Sequence, residues 1–588
     1  MGSIAGVLGP RPESNVHAVE RMLAAASHRG SNTKVIMLGG AALGVAWRDH
    51  PDEVGLATDD RLAVAFHGKL DDMMDGGTRL ESDLGPAEQI LKTFKRHRDR
   101  TPAMMRGIYA VMVTDGRRAW CWRDHLAFRS LFYRTEPKKF YAASEAKQVI
   151  AGAQITKEPD LDVLQRIFYA TYDDDTPTAL KGVIRLPKST ILEVLPEGEV
   201  SARRYWTPES LLETGRFTVD DINQRFDHLM AQAVQRSFHD RDVVSLSGGI
   251  DSPAIAAYGA PTHLERTGKP LAGLSAVYPN FPSVDETEYI QEVVDFLGLK
   301  LHTYVPHARL HERLRSYVEL ADGPVPTVAL EDLEEYYAMA RELGYRTILG
   351  GEVAEFVFDM RGYLTPHLLL RGKFGTVRDR LVAQTAGRTS WLQALRALGR
   401  DVLPAPLARV HAKIRPGRLR VPDWLSERRI RQDAIPYVVG ARMRWHNQQL
   451  TGFIGPGLTI EADEILQSIH GVQMRRPWAD VDLWEFFLTI PAEVKFPDNA
   501  AKTLIRQLLR GKLPDLILDR QEKTLFTDFT MARVNYPALR RWLIQPKFRM
   551  ADVDYERLAV RLEQENLDPL DFRWAKDLAA IHAFLDLW

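Results

Sequence analysis

A single cysteine, Cys121, stands among 588 residues. One thiol excludes internal disulfides and any cysteine-rich zinc site. Net charge is nearly absent: 77 lysines and arginines against 78 acids leave −1, which gives no global pull toward nucleic acid or an anionic membrane. No apolar stretch approaches the ~20 residues that a membrane span requires, and no secretory signal is present. A cytosolic protein with neither nucleic acid nor membrane as partner is expected. Internal repeats and low-complexity tracts are missing, and so is the common phosphate loop ending in Gly-Lys-Ser/Thr. What remains is an ordinary globular composition, 45% hydrophobic and 26% charged. At ~150 residues per domain, the length allows several domains.

Three segments differ in pattern. Residues 1 to about 205 carry short β-type runs such as "VIMLGGAALGVAW", "LAVAFHGKL" and "GIYAVMVTDGRRAWCW". A stretch rich in turn and cap residues, "WTPESLLETGRFTVDD", follows. From about 216 to 588, strand patterns ("VVSLSGG", "LAGLSAVYP", "YRTILGGE") alternate with helical ones. That alternation predicts a parallel sheet with crossover helices and ligands at the carboxyl ends of its strands.

The stretch "VVSLSGGIDSPAIAAY", Val243 to Tyr258, concentrates the chemistry. Val243 to Leu246 read as a buried strand. Gly248 and Gly249 permit a sharp turn and a close approach to a ligand. Ser252 is placed as an N-cap and Pro253 as the first helical residue. Free backbone N–H groups at a helix start make an anion site, most often for phosphate. Asp251 inside such a site implies a metal between acid and phosphates. A plain glycine turn joining strand to helix is the other reading of the same residues.

"SLSGGIDS" resembles the pyrophosphate-binding loop of the ATP pyrophosphatase superfamily, whose members activate carboxylates as adenylates. "MGSIAGVLG", "MLAAASHRGSN", "AFHGKL", "RDHLAFRSLFY" and "AASEAKQV" follow, in order, the amidotransferase half of asparagine synthetases. "SVDETEYIQEVVDFLG", "LADGPVP", "ILGGEVAEFVF", "RRPWADVDLWEFFLTIP" and "KTLIRQLLRGKLPDLILDRQEK" follow the synthetase half. The resemblance implies an N-terminal-nucleophile-type αββα sandwich over 1–205. It implies a doubly wound α/β adenylating domain over 216–588, with ATP and Mg²⁺ as cofactors.

The departures bear on the reaction. Asparagine synthetases carry at position 2 the cysteine that hydrolyses glutamine; here it is Gly2, and the family's Asn-Gly pair is His67-Gly68. Glycine supplies no nucleophile, and Cys121, within a strand pattern, reads as a small buried hydrophobe. The amidotransferase half is therefore expected to be glutaminase-inactive, and the attacking amine to come from a substrate. β-Lactam synthetases and lasso peptide cyclases share this pattern, and both close a ring. Intramolecular capture is worth up to ~7–11 kcal/mol.

Resemblance assigns Ser247, Gly248, Gly249, Asp251 and Ser252 to pyrophosphate binding, and Leu246, Ala276, Gly350 and Gly351 to the nucleotide pocket. Asp251 and Glu355 stand where the family holds Mg²⁺, although the second position usually carries aspartate, and Glu355 also reads as a solvated surface acid. Glu352 occupies the place of a glutamate in asparagine synthetases and of a tyrosine in β-lactam synthetases. It reads either as the group that orients or deprotonates the amine or as a cap on the next helix. Lys523 matches the lysine that stabilises charge on the adenylate. Lys502 matches a second lysine, expected on a helix and aimed at phosphates.

Residues 361 to about 445 have no counterpart in asparagine synthetases, and bases outnumber acids there roughly three to one. "WLQALRALGRDVL" shows helical spacing with leucines and tryptophan on one face. The insertion reads as a solvated basic helical segment or as a docking surface for a peptide or partner protein; lasso peptide cyclases carry a similar element. The expected function is a lasso peptide macrolactam synthetase acting on a precursor peptide, with a leader peptidase and a leader-recognition protein as partners. A β-lactam synthetase or other small-substrate amide ligase, an RNA-modifying adenylase and a non-catalytic scaffold are the alternatives.

Overall fold

The computed structural model describes residues 2–48, 51–169, 176–325, 330–358, 362–385, 390–414, 421–426, 445–446, 449–450, 457–498, 502–520 and 524–588. In the N-terminal half two antiparallel sheets lie face to face. Gly2–Leu8, Asn32–Leu38, Ala41–Trp47, Phe132–Glu136, Lys139–Ala143 and Ile184–Arg185 form one. The other is centred on Ala63–Asp75 and Met105–Thr114, the latter continuing by hairpin into Ala119–Arg123. Period-2 alternation sends Ile4, Leu43, Val45, Ala65, Met112, Cys121 and Leu192 into the layer between the sheets. Burial pushes the Cys121 thiol far up, as befits a small hydrophobe. Helices Pro12–Ala25 and Ala146–Ala153 cover one outer face through Val19, Met22, Leu23 and Val149. Pro86–His97 covers the other, Phe94 packing on Trp120 and Trp122. This is the expected helix–sheet–sheet–helix sandwich.

The second half is built on five parallel strands: β1 Asp242–Ser245, β2 Ala272–Ala276, β3 Lys300–Tyr304, β4 Thr347–Leu349 and β5 Gln473–Arg475. Their order in the sheet is β3-β2-β1-β4-β5. Alternate residues enter opposite cores: Val243 and Ile348 one side, Val244 and Leu349 the other. Both faces are covered by helices, so the sheet is doubly wound. Its strand order reverses between β1 and β4, and the segments leaving these two strands enter one core together, through Ile250 and Ala254 after β1 and Val353 and Ala354 after β4. A crevice opens there, where such sheets bind ligands.

Four helices of the insertion, Leu364–Leu370, Phe374–Thr385, Trp391–Asp401 and Ala405–Ile414, fall within the described residues. The Trp391–Asp401 helix starts at a Ser390–Gln393 capping box. Its apolar face is only partly buried. Ala394 and Leu398 pack inward, whereas Trp391, Leu392 and Leu395 are 48%, 66% and 51% exposed beside Arg396 and Arg400. The segment joining the halves is anchored: Glu213 accepts from His367 (2.9 Å), Arg371 (2.6 Å) and the Ala492 amide (2.9 Å). Among the described residues no helix is long and apolar enough to cross a membrane.

Candidate active site

The crevice is built from the carboxyl ends of β1 and β4. Past Ser245 the chain runs through Leu246 and Ser247 into a helix that opens at Asp251, two residues earlier than predicted, with Ile250 at the cap. Ser252 is not the cap. Its hydroxyl accepts the Ser247 amide and lies 3.0 Å from the Ser247 hydroxyl, so it closes the loop on itself. Neither Gly248 nor Gly249 needs a positive φ. Gly248 is required instead by close approach, because a Cβ there would sit 2.9 Å from those of Glu286 and Tyr289. Its amide donates to Glu286 Oε2 (2.9 Å) and its carbonyl accepts from Arg520 Nη1 (2.7 Å). Arg520 also bonds Glu286 Oε1 (2.9 Å) and lies over the Tyr289 ring. Glu286 and Arg520 thus brace the loop from outside. Both lie in stretches that carry the family resemblance, "SVDETEY" and "LILDRQEK", but neither is marked out by its local sequence.

The second glycine turn meets the first. Gly350 donates to the Arg475 carbonyl (2.8 Å), and a Cβ at Gly351 would stand 2.7 Å from the Ser252 amide nitrogen. Two further segments converge on Asp251. Trp478 Nε1 donates to its carbonyl (2.9 Å), and Lys502 Nζ donates to its Oδ2 (2.5 Å). Lys502 is not inside a helix: it precedes Thr503–Leu508 with φ 59°, a left-handed conformation that side chains disfavour. Ala276 ends β2 on the same edge of the sheet. Leu246 reaches that edge only by its backbone, since its side chain leans on Gly273 and is buried. Glu355 lies in the short Ala354–Phe358 turn of helix, half-buried. Lys523 lies outside the described residues.

Glu352 is half exposed. It accepts from Arg476 Nε (2.6 Å), whose Nη2 donates to the buried Asp463 (2.5 Å). Burial works against charge on Arg476, but Glu352 and Asp463 overcome it and raise its pKa.

Position 2, where the resemblance places a cysteine, is tightly packed. Gly2 is buried in its strand, and a Cβ there would stand 2.4 Å from Val54 Cγ1 and 2.5 Å from the Ala46 carbonyl oxygen. His67 is wholly buried; desolvation, with Arg129 and Arg29 nearby, holds its pKa well below the usual value. Arg29, also wholly buried, bonds the Gly2 carbonyl (3.2 Å), Glu145 and, across the halves, Glu464 (2.8 Å).

An amidotransferase-type sandwich joined to a doubly wound sheet with a glycine-rich loop at its switch point defines a class, the two-part ATP-dependent synthetases. The family model described as Asparagine synthase matches residues 225–561, and that described as Glutamine amidotransferase domain matches 1–206. The chain belongs to the asparagine synthase family, and is an ATP-dependent carbon–nitrogen ligase of that family. It is 26% identical over 489 residues to asparagine synthetase [glutamine-hydrolyzing] 3 of Bacillus subtilis, covering 79% of this chain and 75% of that one. It is 24% identical to the putative asparagine synthetase [glutamine-hydrolyzing] 2 of Methanocaldococcus jannaschii, over 52% of this chain and 59% of that one. With the carboxyethyl-arginine beta-lactam-synthase of Streptomyces clavuligerus it shares 28% identity over 177 residues, 29% of this chain and 32% of that one.

Proposed function

We propose that this chain is a lasso peptide macrolactam synthetase. It adenylates the side-chain carboxyl of an Asp or Glu in a leaderless precursor peptide. The peptide's own α-amine then displaces AMP to close an isopeptide ring, with pyrophosphate released in the first step. The observation that carries this reading is the packing at Gly2: where the family's thiol would stand there is no room even for a Cβ. A nitrogen donor other than glutamine follows, and the substrate itself is the simplest one.

In the crevice, the Ser247–Ser252 loop takes the pyrophosphate. Mg²⁺ takes oxygens from one or two carboxylates together with phosphates. The donor set fits: Asp251 would hold the ion, with Glu355 as second acid, and the ion would neutralise phosphate charge. Lys502, already on Asp251, brings a fixed cation to the same point, and Lys523 is proposed for the acyl-phosphate side. Glu352 orients the α-amine and accepts its proton. The basic insertion, with Trp391, Leu392 and Leu395 exposed beside Arg396 and Arg400, supports a docking role toward the peptide or toward a leader peptidase and leader-recognition protein. A small β-amino acid substrate is the second reading, favoured by the kinship with the beta-lactam-synthase.

The test is incubation with ATP, Mg²⁺ and a leaderless precursor. Pyrophosphate release with loss of one water from the peptide supports the cyclase. Release only with a carboxyethylated amino acid favours the second reading, and glutamate formed from glutamine overturns both.

A further inference from the structure

The two halves are joined by a strut. Helix Gly457–His470 lies between them, and successive sides of it face different partners. Glu461 and Glu464, three residues apart, turn to the N-terminal half. Glu461 takes Arg185 through both oxygens, and Glu464 takes Arg29 Nη1 (2.8 Å) and the Ser130 amide (3.0 Å). Asp463 and Gln467, four apart, turn to the synthetase half. Asp463 accepts from Tyr337 (2.5 Å), Gln467 (2.8 Å) and Arg476 (2.5 Å). A second arm reaches the same arginine directly. Phe128 of the N-terminal half lies beneath the guanidinium, 5.0 Å from it, and is set there by Asp124, which accepts the amides of Leu126, Phe128 and Arg129.

We propose that the N-terminal half is a fixed platform for the synthetase site: through Phe128 and through the Gly457–His470 strut it locks Arg476, and Arg476 is the positioning residue that holds Glu352 at the mouth of the crevice. A half-exposed glutamate on a turn would otherwise sample its rotamers freely. The planar fork of a largely buried arginine fixes it, and the fork is itself held by Asp463 at its far end and by Phe128 from below. A sandwich with no room for a nucleophile thereby keeps a task. That Glu352 accepts the amine's proton rests on the reading above; how it is held does not.

A thiol reporter tests this without ATP or substrate. Cys121 is buried and inert, so Glu352→Cys puts the only accessible thiol beside Arg476. An adjacent arginine favours thiolate, so iodoacetamide should alkylate this variant at pH 7 about tenfold faster than the same variant carrying Arg476→Gln. Arg476→Lys, which supplies the charge without the fork, should recover only part of the rate. Phe128→Ala, which touches no ligand, should slow alkylation severalfold with the fold intact by circular dichroism. Equal rates with and without Arg476→Gln, or no effect of Phe128→Ala, would overturn the proposal. Should Arg476→Gln fail to fold, the Arg476→Lys and Phe128→Ala comparisons decide alone. A failed cyclisation assay leaves these rates unchanged, so the two readings fall separately.

Discussion

Putting a cysteine back at position 2 is the sharpest test of how far the glutaminase half has changed. In Gly2→Cys the new Cβ meets two atoms of different compliance. Val54 Cγ1, at 2.4 Å, belongs to a side chain that rotates; the Ala46 oxygen, at 2.5 Å, belongs to the backbone of a paired strand and moves only with the sheet. Overpacking of this kind costs ~1–3 kcal/mol, and the backbone contact places it toward the upper end. For a unit of some 200 residues that is a fall in unfolding midpoint of roughly 5–10 °C. The assay is calorimetry, with tryptophan fluorescence following the same transition. Adding Val54→Ala should return only part of the loss, because the carbonyl clash stays. Neither variant should form glutamate from glutamine, since a buried His67 still stands where the resemblance places the asparagine of the family's Asn-Gly pair. A Gly2→Cys protein as stable as the parent and hydrolysing glutamine would refute the reasoning at both levels.

Gly351→Ala should reduce adenylate formation, read as pyrophosphate release, by ~10²-fold, because its Cβ pushes the Ser252 amide and the whole phosphate loop out of place. Lys502→Gly should abolish turnover yet leave the midpoint equal or higher. Its φ of 59° costs a side-chain-bearing residue ~1 kcal/mol, and glycine relieves that strain. A variant both less stable and active would reverse the assignment of the lysine to the site. Burial lowers the pKa of His311 and of His582 to about 4, so both are neutral in the folded state. Stability from keeping them neutral is complete above pH 6.5 and is lost as pH falls through 4. At ~1.4 kcal/mol per unit, each contributes up to about 3 kcal/mol to acid unfolding. His582→Gln, which preserves an acceptor for the Tyr555 hydroxyl, should flatten the urea midpoint between pH 6.5 and 4; an unchanged slope would contradict it.

Much of the fold was legible because burial leaves a period in the sequence. The runs around Val243, Ala272 and Thr347 are apolar and end in small residues, so they read as parallel strands with a glycine crevice. Two strands left no such mark. Lys300–Tyr304 is an edge strand, paired on one side only, and its alternation of polar and apolar residues reads as surface. Gln473–Arg475 is three residues long and is a strand only because β4 lies beside it. The Trp391–Asp401 helix shows the limit of spacing from another side. Its spacing is that of a core helix, yet more of its apolar face meets solvent than protein, because amphipathic spacing states which face is apolar and not what covers it.

For the site, sequence identifies chemistry that is local and misses chemistry that is assembled. The loop from Ser247 to Ser252 is contiguous, so its glycines and acid were readable together. Its braces are not: Arg520 and Glu286 lie 234 residues apart and are joined only by folding. The same holds for Glu352 and Arg476, 124 residues apart; Arg476 sits in a run of two arginines and a proline that resembles any solvated basic stretch. Loss was more readable than replacement. A glycine where the family carries a thiol is visible in one letter, whereas the packing of Val54 and the Ala46 carbonyl against it, and the bond from Arg29 to Glu464, exist only in three dimensions. The N-terminal half reaches the synthetase half through Arg29 on Glu464 and Phe128 beneath Arg476, and its contacts with Arg476 are where a contribution to the other site is measurable.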